Sequence, residues 1–218
     1  MENYYNEQYF DYQKEQGLFA AKAMKQFFEP YISINDNLLD FGCGGGFLLN
    51  ELHAKNKLGI EINASARKYA KEELKITAVH SIAEVEDGWA DILISSHALE
   101  HTLRPYDILT ELLPKLKIGG TVVFIVPHET KYKFNEKDVN KHLYTWSEMN
   151  IGNLFIEAGY DVIESRELVH RFPPNHKKLY SIFGEKYFNV LCRVYGVWAR
   201  YRHMTQVRII AKRVAADK

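Results

Sequence analysis

The sequence predicts an α/β protein built on a doubly wound, mostly parallel sheet, and three observations carry that prediction. Short apolar runs alternate with longer amphipathic segments between residues 37 and 126, the pattern of βα units around a parallel sheet. A Gly-rich turn, Gly42-Cys43-Gly44-Gly45-Gly46, follows the first apolar run directly, and the second run ends in an acid, Glu61.

The elements follow in order. Residues 3–28 read as a helix because Tyr5, Tyr9, Tyr12, Leu18, Ala21, Met24 and Phe28 recur at helical spacings, and Pro30 closes the segment. Strands are expected at 37–41, 58–62, 76–80, 90–95 and 121–126, with helices at 47–54, 64–74 and 105–116 between them. The pair Gly119-Gly120 reads as the stop of the last of these helices. Ser147 is the expected N-cap of a helix running to Ala158, Gly159 ends it, and a strand at 161–169 follows. After the break at Pro173-Pro174, residues 177–202 form an aromatic-rich helical segment and 205–213 alternate as a final strand. The chain therefore divides into an N-terminal helical cap (1–30), a core (31–170), a helical insertion (171–204) and a final strand with its tail (205–218).

With 218 residues the chain is long enough for one domain with a substantial core. Its 46% hydrophobic and 26% charged content is that of a globular protein. No apolar run approaches the roughly 18 to 20 residues of a membrane span, and the first residues lack a signal-peptide profile, so a cytoplasmic protein without a membrane span is expected. Cys43 and Cys192 are too few for a disulfide framework or a four-ligand zinc site. Net charge is zero but uneven: from Arg166 onward twelve Lys or Arg stand against three acids, which leaves +9 there and −9 elsewhere. Such asymmetry focuses an anionic substrate, a nucleotide or a membrane surface onto one region.

Glycine at the turn permits positive φ and lets bare backbone N–H groups approach a ligand, which implies a nucleotide-like molecule. The dinucleotide fingerprint would need glycine at position 47, which is Phe47. Asp40 two residues before the first glycine, with Gly42, Gly44 and Gly46 in a G-x-G-x-G register, resembles motif I of the class I S-adenosylmethionine-dependent methyltransferases. Glu61, about 20 residues on, suits the hydroxyls of a ribose.

The resemblance covers 38–169 and implies a Rossmann-like methyltransferase fold, seven-stranded, with an antiparallel C-terminal strand. It implies S-adenosylmethionine as methyl donor and S-adenosylhomocysteine as product. Asp40, Gly42, Cys43, Gly44 and Gly46 would then surround the donor, Glu61 and Ile62 its ribose, and Ser81, Ile82 and Ala83 its adenine. Ser96 and the rest of the loop 95–101 would face the methionine half and the acceptor, with Tyr9 of the N-terminal helix closing over them. The stretches 96–105, 116–120 and 126–127 are similar to the ubiquinone/menaquinone-type branch, which includes sugar and natural-product methyltransferases. Ser81 departs from the family, many of whose members carry an Asp beside the adenine, and 172–204 lies outside the resemblance.

His97-Ala98-Leu99-Glu100-His101 also satisfies the zinc pattern H-x-x-E-H. That pattern needs a continuous helix, which the nearby Pro105 and the preceding strand argue against, so no metal is expected. His97, His101, His128 and His142 are instead candidate bases, because an imidazole near neutral pKa can take a proton from an acceptor hydroxyl. The expected activity is O-methylation of a small sugar-like or anionic acceptor. Its rivals are an NAD-dependent oxidoreductase or epimerase and a non-catalytic S-adenosylmethionine-binding partner subunit. No RNA-stacking motif is present, so nucleic acid is not an expected partner. The run Tyr180, Phe183, Tyr187, Phe188, Tyr195, Trp198 suits packing on the domain or on a second subunit of a homodimer; otherwise the protein is a monomer.

Overall fold

The structure is a computed structural model that describes residues 7–129, 134–136, 140–202 and 204–215, with the side chains at 7–9, 11–13 and 15 left out. Its centre is one seven-stranded sheet with strand order β3-β2-β1-β4-β5-β7-β6. The strands are β1 (Asn37–Phe41), β2 (Asn56–Ile60), β3 (Thr77–Val79), β4 (Ala90–Ser96), β5 (Leu116–Glu129), β6 (Tyr160–Leu168) and β7 (Met204–Arg213). The first five pair in parallel, and β7 inserts antiparallel between β5 and β6.

Among the described residues six α-helices cover the sheet: α1 (Glu7–Met24), α2 (Phe47–Glu51), α3 (Ala64–Glu72), α4 (Pro105–Leu112), α5 (Glu148–Glu157) and α6 (His176–Tyr201), the last kinked at Gly184, where φ is +69°. The period-2 alternation of the strands sorts the core into two layers. Leu39, Phe41, Leu93, Phe124 and Val126 join Leu109, Ile151 and Phe155 of α4 and α5 on one face. Leu38, Ile92, Ile94, Val123 and Ile125 join Phe28, Leu49 and Ala66 on the other, under α1, α2 and α3. A strand buried on both faces reads as a continuous apolar run, which is why β1 and β4 were legible.

Several boundaries differ from the sequence expectation, for local physical reasons. The helix expected at 3–28 is α1 followed by short 3-10 turns at Lys25–Phe27 and Glu29–Tyr31. Tyr5 lies outside the described residues, as do the side chains of Tyr9 and Tyr12. Gly119-Gly120 does not stop a helix: α4 ends at Leu112, a 3-10 turn spans Leu113–Lys115, and the glycines sit inside β5. There the pairing jumps from Ala90↔Leu116 to Ile92↔Thr121. Gly119 takes φ +82°, and a Cβ on Gly120 would lie 2.9 Å from the Lys117 carbonyl, so the pair makes a bulge that only glycine fits. The expected stop at Gly159 holds, with φ +92°, and Ser147 caps α5 through the Asn150 N–H at 3.2 Å. β2 ends at Ile60, which leaves Glu61 and Ile62 beyond the sheet.

The chain runs outward from β1 to β3, returns to β4 and then runs outward the other way. Its direction reverses between β1 and β4, and crevices at such switch points, beyond the carboxyl ends of the strands, are where open α/β sheets bind ligands. Among the described residues no helix is long and apolar enough to cross a membrane.

Candidate active site

The crevice holds a cavity of about 520 Å³ lined by Gly42, Gly44, Glu61, Ile62, Asn63, Ser81, Ile82, His97, Ala98 and His101, among others. Its floor is backbone. Gly42, Gly44 and Gly46 have φ of +74°, +54° and +77°, the left-handed region that favours glycine. A Cβ at Gly42 would sit 2.3 Å from that of Ala98, whereas one at Gly44 meets nothing within 4 Å. The N–H groups of Gly42 and Cys43 both donate to the Ile60 carbonyl, at 2.9 and 3.1 Å, so the turn is tied to the end of β2.

Glu61 knits this floor together. Its Oε2 accepts the Gly44 N–H at 2.9 Å and its Oε1 the Asn63 N–H at 2.8 Å. A carboxylate offers about four lone-pair sites, so about two remain for hydroxyl donors. Burial raises the Glu61 pKa, while the N–H donors of Asn63 and Gly44 and the charge of Arg67 oppose the shift. Arg67 holds the segment from outside, donating to the carbonyls of Glu61 at 2.6 Å and Ile62 at 2.8 Å. Asn63 caps α3 by accepting from the N–H groups of Ser65 and Ala66. This is an N-cap signal visible in the sequence, which the Gly-turn reading passed over.

The remaining donor-side expectations divide by position. Ser81 and Ile82 are on the cavity wall, and Ser81 opens a capping box in which Glu84 Oε1 accepts its N–H at 2.9 Å. Ala83 and Ser96 are not on that wall. Asp40 is 2% exposed beneath the turn, and burial, then the charge of Glu61, pushes its carboxyl well above the usual range. Cys43 is turned into the interior, where a Cβ on Gly59 would lie 2.2 Å from its Sγ. Gly46 N-caps α2. These three shape the turn from below. Phe47, at the position a dinucleotide fingerprint reserves for glycine, stacks on Phe10 of α1 at 6.3 Å between ring centroids. Tyr9 is on α1, its side chain outside the described ones.

The opposite end of the crevice is built from side chains. His97 leaves β4 with φ +55°, rare for a residue with a Cβ and a feature that clusters at functional sites. Its N–H donates to Ile125 O at 2.9 Å, its Nε2 lies 3.0 Å from Gln206 Oε1 and its Nδ1 3.3 Å from Glu100 Oε1. Burial works against the charged form, but Glu100, Gln206 and Glu129 outweigh it and raise the His97 pKa. Both ring nitrogens face acceptors, the pattern of an imidazolium.

Glu100 is 0% exposed and neither carboxyl oxygen has a hydrogen-bond partner of good geometry among the described residues. Around it stand His97, His101 and His142, whose Nε2 is 4.0 Å from Glu100 Oε1. His142 Nδ1 is 2.7 Å from Glu129 Oε2, and Glu129 with Glu100 overrides burial to raise the His142 pKa. His101 is shifted the other way, lowered by burial first and then by the charges of His142 and His97, against the pull of Glu100. Its ring meets that of His142 edge to face at 5.0 Å. Ligating atoms of Glu100, His101 and His142 lie within 4.8 Å of one another. The H-x-x-E-H stretch itself is a 3-10 turn, Leu99–His101, rather than the continuous helix a zinc pair requires.

Backbone hydrogen bonds bring His142 to this place. Leu143 N–H donates to Glu100 O at 2.9 Å, Trp146 N–H to Pro127 O at 3.1 Å, and Glu129 N–H to Thr145 Oγ1 at 2.7 Å. His128 stands apart from the cluster, its Nδ1 3.4 Å from Thr205 Oγ1. Glu129 and Gln206 were not singled out from the sequence, and Glu100 entered it only as the acid of the H-x-x-E-H pattern. Nothing in the spacing ties Glu129 or Gln206 to His97, and Gln206 arrives on β7 more than 100 residues later.

A reversing α/β sheet with a glycine floor at its switch point and a strand-end carboxylate above that floor defines a nucleoside-binding domain. The sequence model of the methyltransferase-domain family matches residues 11–165. The chain belongs to that family, that of the class I S-adenosylmethionine-dependent methyltransferases, which sets aside the NAD-dependent reading. A ubiquinone biosynthesis O-methyltransferase from Nitrosococcus oceani is 34% identical over 104 residues, 43% of this chain and 44% of that relative. The match thus spans under half of the relative's length. Among solved structures, a putative methyltransferase in complex with the Haloferax volcanii Trm112 activator has a TM-score of 0.67 at 17% identity, covering 89% of this chain and 90% of that one. A methyltransferase from Archaeoglobus fulgidus has a TM-score of 0.63 at 20% identity, covering 90% and 94%.

Proposed function

We propose that this chain transfers a methyl group from S-adenosylmethionine to a hydroxyl of a small acceptor, with His101 as the base. The observation that carries the proposal is that Glu61 and His101 line one cavity, so a nucleoside grip and an imidazole share a space of substrate size. The donor, when bound, supplies an electrophilic methyl on a sulfonium.

What the protein's residues do follows from their chemistry. The glycine floor allows close backbone approach, and Glu61 accepts ribose hydroxyls with its remaining lone pairs. Holding two reactants in line is itself worth roughly 7 to 11 kcal/mol when alignment is good. His101, whose lowered pKa keeps it unprotonated at neutral pH, takes the acceptor proton as the oxygen attacks. Glu100 and Gln206 raise the His97 pKa and so favour its charged form, which suits an anionic acceptor. The name of the Nitrosococcus relative favours O-methylation of an acceptor in ubiquinone biosynthesis, while the basic C-terminal quarter favours a sugar-like or anionic acceptor; both bring a hydroxyl to the same base.

The test is incubation with methyl-labelled donor and a panel of catechols, nucleotide sugars and hydroxy acids, beside thermal shift with S-adenosylhomocysteine. Label in an ether product, with a raised melting temperature, is the expected result. A melting temperature unmoved by millimolar S-adenosylhomocysteine overturns the donor assignment, and label found only on nitrogen or carbon overturns O-methylation.

A further inference from the structure

Helix α6 has two apolar faces, and the fold uses only one. Phe188, Cys192, Gly196 and Ala199 are buried, the first two clustering with Ala23 and Phe19 of α1. Gly196 lets the helix close on the chain below, where a Cβ would lie 3.0 Å from the Val169 carbonyl. At 100° per residue the opposite pole carries Tyr187, Val190, Val194, Val197, Trp198 and Tyr201, an arc of about 100°. All six are exposed, Val194 by 66% and Tyr201 by 80%. Monomeric soluble surfaces rarely leave so many large apolar groups contiguous, and such patches mark interaction sites.

The charges beside this stripe select its partner. Lys186, Arg193 and Arg200 recur every seven residues along one flank, and Arg202, just beyond the helix, stacks its guanidinium 5.1 Å from the Trp198 ring centroid. The single acid of α6, Glu185, is 3.6 Å from Lys25 in the 3-10 turn that follows α1 and so turned toward the body of the protein. Arg200 is bonded at 2.8 Å to Glu167 of β6, while Lys186 and Arg193 carry no ion pair among the described residues. A second copy of the helix would bring no acid to meet these cations. Packed antiparallel it would set one basic ridge against the other, and like charges so placed repel.

We propose that the outer face of α6 is a docking surface for an anionic lipid bilayer, on which the helix lies flat. An amphipathic helix with Lys or Arg flanking a stripe of aromatic and aliphatic residues sits in the headgroup region with its apolar side in the acyl boundary. The helix leads directly into β7, whose Gln206 bonds His97, so docking holds the crevice close to the surface and within reach of an acceptor dissolved there. The surface assignment rests on α6 alone and not on the reaction proposed above.

Flotation of the full chain with vesicles of phosphatidylcholine and phosphatidylglycerol, against vesicles of phosphatidylcholine alone, tests this. Binding to the first and not the second, weakened in 0.5 M salt, is expected. Each basic residue near an anionic surface is worth roughly fivefold in affinity, so the pair Lys186→Gln and Arg193→Gln lowers binding about 25-fold, and Val194→Glu with Trp198→Glu abolishes it. Unchanged circular dichroism and melting temperature show that these variants fold. Independently of any variant with altered binding, Trp198 fluorescence, read as the difference from Trp198→Phe, shifts to shorter wavelength on anionic vesicles. No flotation on either vesicle overturns the proposal. Equal flotation on both does so too, as does a dimer in sedimentation velocity that Val194→Glu dissociates, which would give the face to a second copy.

Discussion

The two ends of the crevice are built by opposite means. At the Glu61 end the contacts are local: one turn, one strand end and the next helix cap, with both carboxylate oxygens taking backbone N–H groups at 2.8 and 2.9 Å. At the histidine end, His97, His142 and Gln206 arrive from three separate segments, and the buried Glu100 between them lacks a good hydrogen-bond donor among the described residues. A satisfied backbone cradle is rigid and serves binding. A cluster of imidazoles around an under-satisfied carboxyl is sensitive to protons, the environment that suits acid–base chemistry.

If that division is right, variants at the two ends separate affinity from turnover. The largest effect belongs to His101→Ala, which should lower kcat roughly a thousandfold, within the range for loss of a general base, while calorimetry finds S-adenosylhomocysteine affinity unchanged. Equal losses in both would merge the two ends into one. Glu61→Ala should do the reverse, weakening S-adenosylhomocysteine roughly a hundredfold, since a charged acceptor and two N–H partners are lost together, with kcat at saturating donor within a few-fold of wild type.

Protons distinguish the site from the scaffold. His170, 1% exposed beside Phe27 and Phe172, has its pKa lowered by burial to about 4. The unfolded chain binds a proton there below about 6.5 and the folded chain does not, so stability is full above 6.5 and falls as pH drops toward 4. The loss should be about 3 kcal/mol, read as a steeper fall in melting temperature for wild type than for His170→Phe. The smallest effect is expected from His97→Gln. Removing a cation that lowers the His101 pKa moves the acid limb of kcat to higher pH, with less than tenfold change at the plateau; a thousandfold loss instead would make His97 the base.

Legibility followed the same division. Asp40 to Phe47 could be read because a tight turn near a ligand demands glycine at fixed spacing, and Glu61 because strand length limits how far on the next carboxylate can stand. Ser147 and Gly159 were legible for similar reasons, being rules of one helix. Gly119-Gly120 misled because a bulge inside a strand and a helix stop ask for the same residue, and only the pairing of Ala90 with Leu116 distinguishes them. The aromatic spacing of α6 showed a helix without showing which pole faces inward; the small residues Gly196 and Ala199 decide that by permitting close approach to the chain below.

What the sequence determined by itself was the alternation of elements, the glycine floor and the family to which they belong, because each depends on residues within a turn or a strand of one another. Which imidazoles face the cavity, which way the pKa of each is pushed and which carboxyl lies between them was decided only when β4, the 140s loop and β7 met. Those properties arise from burial and from charges a few ångströms apart in space, distances that sequence separation does not encode.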